Sequence, residues 1–339
     1  MMDKNRLCLW LALLGALLLS GCATYSSHPP VSALPAHYDV APQAEALTLR
    51  NPDSITLFAQ WWTPAPSASV KAVVVLVHGT YVHSGFYHRW ASHLAGHGYA
   101  VMGFDMRGWG QSQGRGRRGF VTDFADYQDD LKLAYQQAQS RYPELPVYVQ
   151  GESLGGLVAL LATAEGRIQP DGLILNAPAL RIAVKMLGIR QPNWLARSGL
   201  WMMALPGEAF PNHPVLVPGA VTELFAGMAV DSDQLVDEFK RDPHVTHTAL
   251  PLGFFAALRE GTARAQALLP ALQPPLLVVQ GTDDTLVPLS SSEYLLANAG
   301  SEDKTLQVYE GMSHATLLDT GHEQVWHDIL SWLDERVQE

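Results

Sequence analysis

One junction limits what this chain can become. Val147 to Gln150 is a short β-branched and aromatic run that passes through Gly151-Glu152-Ser153-Leu154-Gly155 straight into a helical pattern. Leu154, Leu157, Val158 and Leu161 recur at i, i+3, i+4 and i+7, one face of a helix. A serine between strand and helix, with glycine two residues away on each side, matches G-x-S-x-G. The turn this requires is so tight that a side chain at Gly151 or Gly155 collides with backbone. It holds the Ser153 hydroxyl at the top of a sheet, above the N-terminus of the next helix, as a candidate nucleophile.

The rest of the chain repeats the strand–helix alternation. Ala72 to Val77 is a continuous apolar β-branched run, the mark of a strand buried on both faces of a parallel sheet, and it ends in His78-Gly79-Thr80. A helix over Phe86 to His97 and a second buried strand over Tyr99 to Phe104 follow, then a glycine-rich loop from Asp105 to Ser112. Phe120, Phe124, Tyr127, Leu131 and Ala134 mark one face of a long helix ending near Pro143. Further strands are predicted at Gly172 to Asn176, Leu276 to Gln280 and Thr305 to Tyr309, with helices before Pro270, after Pro288 and over Glu323 to Val337. Ile55 to Thr63, rich in aromatics, reads as an antiparallel edge strand. Repeated units of this kind predict an α/β fold on a mostly parallel, doubly wound sheet. From about residue 178 to 250 the rhythm breaks. Pro192, Pro206, Pro211, Pro214 and Pro218 interrupt any long helix, and large apolar residues such as Trp194, Leu200, Trp201 and Met202 crowd in. That stretch reads as an insertion above the sheet.

A serine hydroxyl is a poor nucleophile at neutral pH; it needs a base, usually His, and that His needs an acid to fix its tautomer. In folds of this kind the partners lie on later loops, in the order Ser, Asp, His. After the strand at Leu276 comes Gly281-Thr282-Asp283-Asp284, and after Tyr309 comes Glu310-Gly311-Met312-Ser313-His314. Both loops fall at carboxyl ends of strands, where open α/β sheets bind ligands. Asp283 and Asp284 compete for the acid role. Two backbone donors are expected for a developing oxyanion: the N–H of Leu154, and the N–H of Thr80 in the loop after the first buried strand. This chemistry calls for no cofactor and no metal. His78, His83, His88, His93 and His97 recur at intervals of five, five, five and four, and only the last pair has the i, i+4 spacing that helical metal ligands use.

Charge and the N-terminus bear on partners. A net charge of −11 excludes nucleic acid, whose phosphates need clustered Lys and Arg, and the run Arg115-Gly116-Arg117-Arg118 is too short to alter that. Lys4 and Arg6 precede an apolar run from Leu7 to Leu19, shorter than the roughly 20 residues a bilayer span needs, so residues 1–21 read as a secretory signal. Leu19-Ser20-Gly21-Cys22 resembles the lipobox of bacterial lipoproteins. The resemblance implies a lipid on Cys22, cleavage before it and, with Ala23 next, an outer-membrane location facing the periplasm. Residues 22–46, rich in Ser, Pro, His and Ala, read as a tether that keeps the domain at 47–339 near the membrane. Cys8 leaves with the signal, so no disulfide is expected.

The segments His78 to Tyr87, Phe104 to Ser112, Tyr142 to Gly156 and Asp303 to His314 resemble the monoacylglycerol lipase and lysophospholipase branch of the α/β-hydrolases, which includes serine aminopeptidase-like proteins. The resemblance covers most of residues 70–335 outside the insertion. It implies an α/β-hydrolase fold whose insertion, at about 178–250, is a helical cap over the acyl-binding site. The family's Gly-x-x-Asp-x-x-Val pattern falls on Gly281, Asp284 and Val287, which selects Asp284 as the acid. It further implies a Ser153, Asp284 and His314 triad cleaving lipid-like monoesters without a cofactor, with the Thr80 and Leu154 N–H groups around the oxyanion. An amide or a thioester suits the same triad, and a lipoprotein that binds acyl chains without turnover is the reading from another class. One position departs: the residue before the nucleophile, often His in this family, is Glu152. That departure bears on substrate choice more than on catalysis.

Overall fold

The computed structural model describes residues 39–182, 207, 209–214, 226–227 and 229–337. The expected signal, Cys22 and most of the tether lie outside the described residues, as do Trp194, Leu200, Trp201 and Met202 of the insertion.

Among the described residues, the strands are β1 (Glu45–Arg50), β2 (Thr56–Trp62), β3 (Ala72–Val77), β4 (Tyr99–Phe104), β5 (Val147–Glu152), β6 (Gly172–Asn176), β7 (Leu276–Gly281) and β8 (Lys304–Tyr309). They form one sheet in the order β1-β2-β4-β3-β5-β6-β7-β8. β2 pairs antiparallel with β1 and β4, and all other neighbours are parallel. Every residue of β3, β4, β5, β6 and β7 is buried, as continuous apolar runs in a sheet covered on both faces must be. The helices are α1 (His88–Gly96), α2 (Ala125–Arg141), α3 (Leu154–Ala164), α4 (Asp233–Arg241), α5 (Leu252–Leu268), α6 (Leu289–Asn298) and α7 (His322–Val337).

The order reverses at β3. The chain steps from β3 to β4 in one direction and from β4 over β3 to β5 in the other. Right-handed crossovers therefore put α1 on one face and α2 and α3 on the opposite one. α7 returns to the α1 face, where Trp326 packs on Trp90 with ring centroids 5.5 Å apart. The carboxyl ends of β3 and β5 flank this reversal, the place where open sheets bind ligands.

Two sequence expectations need correction. β2 is not the edge: β1 lies outside it, starting at Glu45, inside the stretch read as tether. Only Leu47 and Leu49 of β1 carry apolar bulk on one face, a signal too short to distinguish from coil. The long helix predicted from Phe120 begins at Ala125 instead, whose N–H donates to Asp123 Oδ1 at 2.8 Å; Phe124 is buried in the turn ahead of it.

Two long-range anchors shape the rim above the strand ends. Arg107, in the loop after β4, donates to Asp130 of α2 through Nε at 2.8 Å and Nη2 at 2.7 Å, and its Nη1 bonds Asp53 at 3.0 Å. Asn51 Nδ2 adds a bond to Asp130 at 3.0 Å. On the same rim, Asp39 exchanges two bonds with the Gln111 amide, at 2.6 and 2.8 Å, and its carboxylate lies 2.7 Å from His244 Nε2.

Within the insertion, α4 is a helix that the proline count hides. Its signals are present all the same: Ser232 Oγ accepts the Leu235 N–H at 3.4 Å, Leu235 and Phe239 bury one face at i, i+4, and Lys240 and Arg241 close the last turn. Arg89 of α1 bonds Glu238 at 3.0 Å, and the Thr246 N–H donates to Tyr81 O at 2.8 Å, seating this segment over the β3 loop. Among the described residues no helix is long and apolar enough to cross a membrane.

Candidate active site

The turn from β5 into α3 is as tight as its glycines require. A Cβ on Gly151 would lie 2.4 Å from Gly155 O, and one on Gly155 would lie 2.2 Å from Val77 O. Ser153, between them, has φ 52° and ψ −110°, a conformation costly for a non-glycine residue and held by its surroundings. Its N–H donates to Asn176 O at 2.9 Å, and its carbonyl accepts from Ala179 N at 2.9 Å. Leu154 is the first residue of α3, so its N–H has no acceptor inside the helix.

The acid and the base converge from β7 and β8. His314 Nδ1 lies 2.7 Å from Asp284 Oδ2. Asp284 is fixed by the N–H groups of Leu286 and Val287, both 2.8 Å from Oδ1, and by Gln280 Nε2, 2.8 Å from Oδ2. With the carboxylate so occupied, Nδ1 carries the imidazole proton and Nε2 is left as the free lone pair. Nε2 is buried and has no hydrogen-bond partner among the described residues. Burial pushes the His314 pKa down, but the charge and hydrogen bond of Asp284, with a smaller contribution from Glu152, outweigh it and leave the pKa above the ordinary histidine value. Asp283 points elsewhere: it is exposed, and its N–H donates to Met312 O at 3.0 Å.

The β3 loop closes the third side. His78 Nε2 accepts the Met106 N–H at 3.0 Å, so Nδ1 bears the proton and donates to Gly79 O at 2.7 Å. Burial, against the pull of Asp105, lowers the His78 pKa to about 4, which keeps this ring neutral. Thr80, Ser153, His314 and Glu152 line one pocket. Its other walls are apolar: Val82 and Phe86 from the β3 loop, Leu235 and Phe239 from α4, and Leu318. Burial drives the Glu152 carboxyl up to about 7, against the opposing pull of His314 and a hydrogen bond from Tyr87.

Several residues of the site left no sequence signal. Ser313 Oγ bonds Ala229 O at 2.9 Å and also Asp319, whose Oδ2 accepts the Asp231 N–H at 2.9 Å. These contacts tie the His314 loop to the insertion. The histidine series disperses: His78 is in the β3 loop, His83 faces Asp242, and the His93 ring packs at a tilt on His97 at 4.3 Å and on Trp326 at 5.0 Å. Among the described residues no group of three or more His, Cys, Asp or Glu could hold a metal.

This arrangement can accept a proton at one nitrogen of His314 while a carboxylate holds the other. The family model of serine aminopeptidase, S33, matches residues 68–321. The human monoglyceride lipase is 30% identical over 298 residues, covering 85% of this chain and 90% of that protein. The monoacylglycerol lipase of Mycolicibacterium smegmatis is 30% identical over 273 residues, covering 80% and 90%. Among solved structures, a soluble variant of monoglyceride lipase from Saccharomyces cerevisiae in complex with a substrate analog aligns with a TM-score of 0.74 at 21% identity, covering 89% of this chain and 99% of that one.

Proposed function

The chain belongs to the serine aminopeptidase S33 family of α/β-hydrolases, and from that membership we propose that it hydrolyses carboxylic esters of monoacyl lipids, monoacylglycerols or lysophospholipids, with Ser153 as nucleophile. The observation that carries the proposal is the His314 Nδ1–Asp284 Oδ2 contact of 2.7 Å, which leaves Nε2 unpartnered in a pocket wall shared with Ser153.

Ser153 Oγ attacks the ester carbonyl and its proton passes to His314 Nε2; Asp284 holds the imidazolium. The bond between Oγ and Nε2 forms when substrate closes the site. The carbonyl oxygen, now anionic, takes hydrogen bonds from Thr80 N–H and Leu154 N–H, each worth about 3–4 kcal/mol of barrier. Collapse expels the glycerol or headgroup alcohol with the proton from His314. Water, activated by the same nitrogen, then releases the fatty acid. The apolar walls from Phe86, Leu235, Phe239 and Leu318 suit the acyl chain.

A fluorophosphonate probe tests the nucleophile: wild type labels and Ser153→Ala does not. Labelling that survives the substitution removes Ser153 from the role. A panel of monoacylglycerols and lysophospholipids of graded chain length, set beside aminoacyl amides and thioesters, tests the bond. Faster turnover of the amides would assign the triad to a peptidase instead. For location we propose that a lipid on Cys22 anchors the enzyme in the bacterial outer membrane, facing the periplasm. Metabolic labelling with a fatty-acid analogue should mark wild type and spare Cys22→Ala.

A further inference from the structure

The Gly79–Thr80 peptide, which carries the second oxyanion donor in the proposed mechanism, is gripped from two sides. His78 Nδ1–H holds its carbonyl oxygen at 2.7 Å. On the other side of Gly79, the Gly79 N–H donates to Tyr87 Oη at 3.1 Å, and Tyr87 O–H donates to Glu152 Oε1 at 2.7 Å. A phenol has one proton. With that proton committed to Glu152, a lone pair of Oη is left to face Gly79, so the two bonds orient each other.

The ends of this relay are the point. Gly79 is the residue before Thr80, and Glu152 is the residue before Ser153. Tyr87 is wholly buried and Glu152 is 5% exposed, so water does not compete for either bond. A Cβ built on Gly79 would lie 3.4 Å from Glu152 Oε1 and 3.5 Å from Tyr87 Oη, which shows how closely the loop rests on the two groups. Glu152 Oε2 has no hydrogen-bond partner among the described residues, so only one oxygen of the carboxyl is engaged.

We propose that Tyr87 and Glu152 are positioning residues: a buried strut that sets the distance between the nucleophile's strand end and the Thr80 N–H. This inference rests on the acyl-transfer reading above. The strut needs an acceptor at Glu152 Oε1, not a negative charge. Gln at 152 keeps that acceptor and places an amide where the carboxyl already lacks a partner, whereas Ala removes the acceptor and Tyr87→Phe removes the link.

The test is the steady-state hydrolysis of a monoacylglycerol by wild type, Tyr87→Phe, Glu152→Ala and Glu152→Gln, with fluorophosphonate inactivation rates alongside. Misplacing one oxyanion donor should lower kcat and the inactivation rate by about 10- to 100-fold in Tyr87→Phe and Glu152→Ala while KM stays within about threefold. Glu152→Gln should keep its kcat plateau within about threefold of wild type, a rescue that loss of packing alone does not predict. An active wild type whose Tyr87→Phe variant turns over unchanged overturns the strut alone, as does a Glu152→Gln variant as damaged as Glu152→Ala. A wild type that neither hydrolyses esters nor takes the probe overturns the acyl-transfer reading and the inference with it.

Discussion

His83 Nε2 lies 2.9 Å from Asp242 Oδ2, joining the loop after β3 to the residue that follows the insertion's helix α4 across 159 positions of sequence. His83 also feels Asp105 and Arg118, and its ring packs against Phe86 and His244. Burial raises the Asp242 pKa, but the hydrogen bond and charge of His83 outweigh it and bring it down to about 2. Burial lowers that of His83, and Asp242 and Asp105 more than reverse it. Stability from Asp242 is therefore present above the ordinary carboxylate range and lost as pH falls through about 2. Stability from His83 is full below the ordinary histidine value and lost as pH rises through its elevated folded value.

The seating of α4 should accordingly be firmest in mildly acidic solution. Hydrogen exchange over residues 232–242, corrected for its intrinsic pH dependence, should quicken as pH rises past the ordinary histidine value. Asp242→Asn should flatten that change and cost on the order of 1–3 kcal/mol of stability. An identical pH response in the variant would rule the pair out as its source.

Asp284 and Asp283 are neighbours with opposite surroundings, and substitution should separate them. Asp284→Asn removes the acceptor that fixes the His314 tautomer, and kcat should fall by about 10³–10⁴. Asp283→Asn, on an exposed side chain, should leave kcat within about twofold. Comparable losses in both variants would contradict the geometry.

His314 must be neutral to act as a base, so activity rises with pH through its pKa. Asp284 and Glu152 both face it and both raise that value. Glu152→Gln removes one of the two negative charges, and the acidic limb of kcat/KM should move to lower pH while the plateau is kept. A limb that stays in place or moves upward would show that Glu152 carries no charge near the working imidazole.

Arg107 is the only cation bonded to the buried Asp130 among the described residues. Arg107→Ala strands that carboxylate, and urea unfolding should show a loss of about 3–5 kcal/mol. Arg107→Lys should recover part of it, since a single ammonium cannot reproduce the bonds from Nε and both terminal nitrogens. Wild-type stability in Arg107→Ala would show that Asp130 is held by Asn51 and the backbone alone.

What was legible in the sequence follows one physical rule. The places of Ser153, Asp284 and His314 are legible because each follows closely on a strand whose apolar run announces itself. The site's supports are not. Tyr87 meets Glu152 across 65 positions and Ser313 meets the backbone of Ala229 across 84, joined by a fold that no local pattern encodes. Glu152 stands out in the sequence as a departure, yet its partner depends on where the 3₁₀ turn Ser84–Tyr87, before α1, places the Tyr87 ring. α4 is hidden for the converse reason: its cap and apolar face are present, but the prolines upstream mask them. β1 has only two apolar side chains on one face, and it was recognisable only once β2 offered it a partner.

The bonds around Asp39 have a mechanical consequence. Its grip on Gln111 and His244 puts it on the rim above the strand ends, on the side of the molecule where Ser153 emerges. A force carried by the preceding segment is delivered to that rim and not to the far end of the sheet. If Cys22 bears a lipid as proposed, its pull reaches the folded domain on the side of its working face.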